Sequence, residues 1–381
     1  MYFSTIHNSL KILRLCGSDP REGYGKVQCI LFSLNIMCSL SMVVLLILKF
    51  YNMQKTVTVS DVTDAVTCLF LFSHGTLKLS AMFFKKKNTR ELLTKMLENF
   101  WNSDDFKQSS IQKEVSEVHK SIKYTNNFIF GLHFFNAVGF LTGPLLTTDP
   151  ILPFDCFRPQ WAGYYGLLIY EDITAIISIL FPILSVDLFF MGLMRLTQIQ
   201  WKLLNHELYH TFDHIHMKDD SVQEKIKLKI KKCVCHHEFL IRYVEKINDT
   251  FSTSLFFYMV IIVLSMCVEM YNATTFSDPQ IIRRAFVYTT AGCTAFMICF
   301  CYPCQDMIDE ATKISSSIYF SNWYKYPEHS KSTQMILLRG QKTMNIRAGG
   351  FLEMDLRTGL ATLKTMVSYS MFLRTISSME N

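Results

Sequence analysis

Apolar residues run through this chain in long blocks set apart by charged stretches. Residues 29–48, CILFSLNIMCSLSMVVLLIL, carry no charge at all. An α-helix needs about 20 apolar residues to cross ~30 Å of hydrocarbon, so this block is long enough to span a membrane. Further blocks fall at 64–84, 127–147, 166–194, 251–272 and 285–304, and a seventh, more polar, at 351–374. The second holds His74 and Lys78 and the seventh holds Lys364. Ionisable groups are expensive in lipid and persist where they face protein or water. The pattern predicts an all-α polytopic membrane protein with seven transmembrane helices.

Residues 221–249 follow another rhythm. Val222, Ile226, Ile230, Val234, His237, Ile241, Val244 and Ile247 recur three or four apart, opposite a basic face. That spacing predicts an amphipathic helix running straight into the fifth span. Together with 305–325 it predicts a helical cytoplasmic layer packed through its apolar stripes. The alternative is a helix lying on anionic lipid.

Composition agrees with the pattern. The 381 residues are 50% hydrophobic and only 18% charged, too apolar for a soluble enzyme of this size. The formal charge of +6 does not imply a nucleic-acid partner, because the basic residues bracket apolar runs and are not interleaved with stacking aromatics. Their placement sets the orientation, since basic loops stay in the cytoplasm. With the amino terminus inside, pieces 1–26, 85–124, 196–249 and 305–345 hold 27 of the 38 Lys and Arg. The external connections hold only Lys55, Arg158, Arg283 and Arg284. A G-protein-coupled receptor has the opposite orientation, and no Asp-Arg-Tyr follows the third span. Residues 1–26 show no apolar core ahead of a small-residue cleavage site, so the first span is expected to act as its own signal. Several of the twelve Cys (Cys38, Cys68, Cys267, Cys293, Cys299) lie within apolar runs. There a thiol behaves as a small hydrophobe, and no disulfide framework follows.

One string competes for an enzymatic reading. His206-Glu207-Leu208-Tyr209-His210 matches the zinc-protease pattern, in which two His one turn apart hold the metal and the Glu polarises its water. The string arises by chance in about one chain in a hundred, and a third ligand has no convincing spacing: His214 and His216 lie in a polar stretch that reads as loop. Cys233, Cys235, His236 and His237 cannot all face one ion from one helix. No catalytic residue, cofactor or metal is therefore expected, and a membrane-embedded zinc protease is kept as the alternative.

From residue 300 onward the chain resembles the carboxyl-terminal region of insect odorant receptors. The carriers are Tyr319, Trp323-Tyr324, Leu337-Leu338-Arg339, Ala348-Gly349-Gly350-Phe351, Leu363-Lys364-Thr365, Ser368-Tyr369 and Phe372-Leu373-Arg374. Weaker blocks, VDLFFMGLMRLTQIQWKLL and CHHEFLIRYVEKINDTFSTSLFFYMVIIVLSMCVEMY, agree. Lys364-Thr365 and the short connection between spans four and five make it similar to an odour-tuning subunit, not to the shared co-receptor. Ser368-Tyr369 and Met371-Phe372 depart from the ending of gustatory receptors, a second alternative.

The resemblance implies a subunit of an odorant-gated, non-selective cation channel, a heterotetramer formed with a co-receptor. It implies the plasma membrane of an olfactory sensory neuron dendrite, with small volatile odorants and membrane lipid as further partners. The expected division is 1–304, six transmembrane helices with a ligand pocket and cytoplasmic extensions; 305–345, a cytoplasmic anchor; and 346–381, a pore-lining seventh helix. Phe72, Gly75, Asn136, Phe140, Ile173, Ile177, Phe181 and Tyr288 fall at the depths where the family holds its odorant. In the last span Thr362, Thr365, Tyr369, Phe372 and Ile376 are spaced as one helical stripe, with hydroxyls toward the inside and apolar groups outside. The resemblance puts Phe372 and Ile376 at the positions of an apolar gate, with Tyr369 just beneath.

Overall fold

The computed structural model of the chain describes all residues except 1, 53–58, 107, 143–151, 155, 160, 214–219, 277–278 and 381. Helices α1 (Tyr2–Leu15), α2 (Lys26–Asn52), α3 (Val59–Phe84), α4 (Lys86–Asn99) and α5 (Ser109–Leu141) come first. Then follow α6 (Tyr164–Ala175), α7 (Phe181–Tyr209), α8 (Asp220–Thr275), α9 (Pro279–Ala295), α10 (Tyr302–Tyr319), α11 (Ser330–Gly340) and α12 (Leu356–Glu380). Pairs α6/α7 and α9/α10 are each one rod, so the seven predicted spans map onto α2, α3, α5, α6–α7, α8, α9–α10 and α12. The end of the third predicted span, 143–147, lies outside the described residues. By length and composition five of the described rods are apolar enough to cross a membrane. Shared polarity explains why α5 and α12 fall short: α5 carries Asn126, Asn127, His133 and Asn136, and α12 carries Thr362, Thr365 and Ser368.

Each paired rod passes through a π turn, Ile176–Leu180 and Phe296–Cys301, followed at once by a proline. Proline has no N–H to close the helical ladder, which favours a local widening. Pro182 leaves the Ile177 carbonyl without its π-turn donor, and the Asn35 amide of α2 donates to it at 2.7 Å. Beside it, the Ser178 carbonyl lies so close to α3 that a Cβ on Gly75 would meet it at 2.1 Å. Gly75 is thus the residue that lets α3 and the bulge touch.

Helix α7 is the axis of the molecule, buried on nearly every side. Ile6, Leu10 and Leu13 of α1 are fully buried in the same cluster, and Gly192 of α7 admits the approach, since a Cβ there would meet Ile6 Cγ2 at 2.6 Å. Away from the apolar spans, α4, α10, α11 and the inner halves of α5, α7 and α8 share one core built on Leu92, Met96, Trp201, Tyr243 and Ile314. The basic amphipathic stretch packs on these helices, and α8 is continuous from it into the fifth span. Six of the eight stripe positions are buried, but Val234 is 42% exposed and its neighbour Cys233 takes the inward place. A 3.6-residue period drifts off any strict count of three and four.

The last span begins later than its apolar pattern suggests. Strands β1 (Arg347–Ala348) and β2 (Leu352–Glu353) form a small hairpin. Gly349 and Gly350 turn it with positive φ, and the Gly349 N–H donates to the Ser252 carbonyl of α8 at 2.9 Å. Asp355 then accepts from the Thr358 N–H at 2.6 Å, an N-cap that starts α12 at Leu356 and not at Phe351.

Candidate functional site: a buried cavity and an unpacked last helix

A cavity of about 160 Å³ lies between α3, α5, α6–α7, α8 and α9. Its walls are mostly apolar, with Leu71, Phe140, Ile179, Ile183, Ile262 and Val287 among them. Phe154, from the connection after α5, covers one side: its ring lies 5.2 Å from Phe72 and 5.1 Å from Phe140. The Phe154 N–H donates to buried Glu171 at 2.9 Å, which fixes that segment.

Charge sits at both ends. Toward the cytoplasmic layer, Lys78 and Asp187 form a fully buried ion pair, with the ammonium 4.2 Å from the Tyr258 ring centre and His74 stacked on the same ring. At the other end Arg284 pairs with Asp64, next to Glu269, which is 1% exposed. Ionisable groups inside membrane spans are rare and mark functional sites by default. His74 and Lys78 were therefore the strongest pointers to this cavity in the sequence.

Of the eight residues expected at the pocket, Asn136, Phe140 and Tyr288 line it. Phe72 stands behind Phe154, and Gly75 is closed against Ser178. Ile173 and Ile177 lie on the outer surface of the rod, 51% and 36% exposed, and Phe181 is half-buried away from the cavity. The α6–α7 rod instead presents Ala175, Ile176, Ile179, Leu180 and Ile183. A face turned to lipid and a face turned to an apolar cavity have the same composition, so periodicity cannot tell them apart. The wall from α8, with Tyr258, Ile262, Ser265 and Met266, was missed; its helical spacing was visible, but the fifth span offers similar stripes on other faces.

Helix α12 touches its own chain on one side only. Met366 and Ser370 are buried, the Cys267 thiol of α8 donates to the Met366 carbonyl at 3.8 Å, and Gly359 fits against Cys301 and Met297. Thr365, Tyr369, Phe372 and Ile376 all face away from the chain, the last three 56%, 59% and 40% exposed. The hydroxyl of Thr365 donates to the Ala361 carbonyl at 2.9 Å, which leaves its oxygen lone pairs turned outward.

The zinc-protease string sits at the end of α7. His206 Nε2 contacts Gln108 Oε1 at 2.5 Å, and His210 Nδ1 contacts Asp213 Oδ2 at 2.6 Å. Among the described residues no three His, Cys, Asp or Glu side chains could hold a metal together. The second candidate cluster is dispersed: Cys233 is buried, Cys235 exposed, His236 stacks on Trp101 at 3.9 Å and His237 meets Trp201 edge-on. Burial, helped by Lys232, pushes the His236 imidazole down to about 3, and burial beside Arg339 pushes His237 to about 4.

A family model described as 7tm odorant receptor matches residues 58–367. The chain is 23% identical over 301 residues to odorant receptor 22a of Drosophila melanogaster, covering 75% of this chain and 70% of that protein. It is 24% identical over 153 residues to the odorant receptor coreceptor of the same species, 39% of this chain and 31% of the other. Its fold matches that of the olfactory receptor OR5 from Machilis hrabei in complex with eugenol, with a TM-score of 0.81 at 16% identity over 98% of this chain and 99% of that one.

Proposed function

The chain belongs to the insect odorant receptor family, which consists of receptors and not enzymes, and on that premise we propose that it is the odour-tuning subunit of a ligand-gated, non-selective cation channel. It assembles as a heterotetramer with a co-receptor in the plasma membrane of the olfactory neuron dendrite. A small volatile compound occupies the 160 Å³ cavity, a reading supported by the structure of the Machilis receptor in complex with eugenol. It is held mainly by apolar burial at about 25 cal/mol per Å², with Asn136 or Tyr288 adding one or two hydrogen bonds.

The observation that supports the channel reading most is that Thr365, Tyr369, Phe372 and Ile376 on α12 stay exposed among the described residues. Hydroxyls aimed at lipid gain nothing, whereas hydroxyl oxygens around a shared axis can solvate a passing cation. Phe372 and Ile376, with Tyr369 beneath, close that path by excluding water. Ligand occupancy reaches α12 through packed neighbours. Met266 lines the cavity, and Cys267 beside it holds the Met366 carbonyl. On α9–α10, cavity-lining Ala295 leads into Met297 and Cys301, which clasp Gly359. In this division 1–304 senses, 305–345 anchors and 346–381 conducts.

Expression in cells with and without a co-receptor, with current recorded against a panel of volatile compounds, tests the proposal. Ligand-evoked cation current should appear only when both chains are present. Silence in both conditions, or a response that requires G proteins, would overturn it.

A further inference from the structure

The cavity is less apolar than its walls suggest. His74 Nε2, His133 Nε2, Asn136 Nδ2 and Asp187 Oδ2 belong to side chains that line it, and each of these atoms is buried with no hydrogen-bond partner among the described residues. Buried polar atoms in folded proteins are nearly always paired, so four orphans around one space point to a group that enters it. Asp187 uses its other oxygen for Lys78. Its second oxygen, as part of that ion pair, is an acceptor, while the Asn136 amide nitrogen can only donate. Each imidazole nitrogen does one or the other according to its tautomer.

We infer that this cavity selects aromatic volatiles carrying a hydroxyl, which donates to Asp187 and accepts from Asn136. The inference rests on the receptor reading above and narrows its ligand class. A hydroxyl is the smallest neutral group that satisfies an acceptor and a donor at once. A carbonyl or ether can only accept, and leaves the Asp187 oxygen unpaired. A hydrocarbon pairs with nothing. The Lys78–Asp187 and Arg284–Asp64 pairs at the two ends are each already balanced, so an ammonium adds an extra buried cation and a carboxylate an extra buried anion, and each is disfavoured. Size fits as well: a dry cavity of about 150 Å³ accepts a benzene ring, and Phe140, Phe154 and Tyr288 offer aromatic edges and faces to such a ring.

Five probes share one ring: benzyl alcohol, benzaldehyde, toluene, benzylamine and benzoate. The readout is the concentration of each that gives half-maximal thermal stabilisation of the purified full-length chain in detergent, which requires neither co-receptor nor current. Benzyl alcohol should act at a concentration at least about tenfold lower than the other four, the scale of one well-made hydrogen bond in a buried site. Asn136→Leu should narrow the ratio between benzyl alcohol and toluene several-fold, whatever the new side chain does to toluene itself. The double variant Lys78→Met with Asp187→Leu, which replaces the ion pair by apolar groups, should abolish the advantage; if that variant does not fold, Asn136→Leu decides. Equal action of toluene and benzyl alcohol, a preference for benzylamine or benzoate, or an advantage that Asn136→Leu leaves undiminished would overturn the inference while leaving the cavity as a ligand site. Absence of stabilisation by any ring probe would remove both.

Discussion

Six residues apart on one rod, Ile173 and Ile179 meet different media: Ile173 is 51% exposed on the outer surface, and Ile179 is 8% exposed and lines the cavity. In the proposed receptor, deleting side-chain volume at Ile179 enlarges the ligand space, whereas the same change at Ile173 trims only the outer surface of the rod. Ile179→Ala should therefore reorder the ranking of volatile agonists, with shifts of about tenfold for the ligands that touch it. Ile173→Ala should leave the ranking unchanged at equal surface expression; concentration–response curves for both variants check this. Another residue-scale expectation concerns His236, outside the spans. Its ordinary value is 6.5, lowered to about 3 in the folded chain by burial and then Lys232. Below pH 6.5 the unfolded chain takes up a proton that the folded chain does not. Stability from the neutral ring is complete above pH 6.5 and falls with acid, by about 1.4 kcal/mol per pH unit toward pH 3. The melting temperature of purified receptor should drop between pH 6.5 and 4, and less steeply in His236→Phe, which keeps the stack on Trp101; equal slopes would contradict this.

At the scale of elements, what was legible was length and amphipathicity, and what was hidden was which side of a rod faces what. The continuity of α8 followed from a stripe of eight positions, and the burial of Ile226, Val244 and Ile247 agrees with it. The start of α12 lies later than the apolar residues Phe351, Leu352 and Met354 suggest, because the glycine turn before them and the Asp355 cap after them are local hydrogen-bond features. The pocket face of α6–α7 was hidden because Ile and Phe serve lipid and cavity alike. Polar exceptions carried more information: Lys78 needed a buried partner, and Asp187 supplies it. For α12, the outward positions of Phe372 and Ile376 lead to a specific expectation. Phe372→Ala or Ile376→Ala, expressed with the co-receptor, should raise ligand-free current or change cation permeability ratios without moving odorant preference. Wild-type basal current and permeability in both variants, at normal surface levels, would exclude this helix from the conduction path.

For the whole molecule, one layer of charge and one axis of packing organise the chain. Basic residues crowd the side where α4, α10 and α11 pack, and on the opposite side Arg284 is neutralised by Asp64. Helix α7 joins the cavity to the helical layer through continuous burial; in the proposed channel the cavity half bears on that base while α12, packed on one side, meets neighbouring subunits. In the proposed channel, α12 of this chain itself borders the ion path. That placement is tested most directly by replacing Phe372 with cysteine, co-expressing the co-receptor, and applying a membrane-impermeant charged thiol reagent from outside during odorant stimulation. The account predicts irreversible loss of current in Phe372→Cys, faster with odorant present than without, and no effect on the wild type. An odorant-evoked current in Phe372→Cys that the reagent leaves unchanged would contradict it.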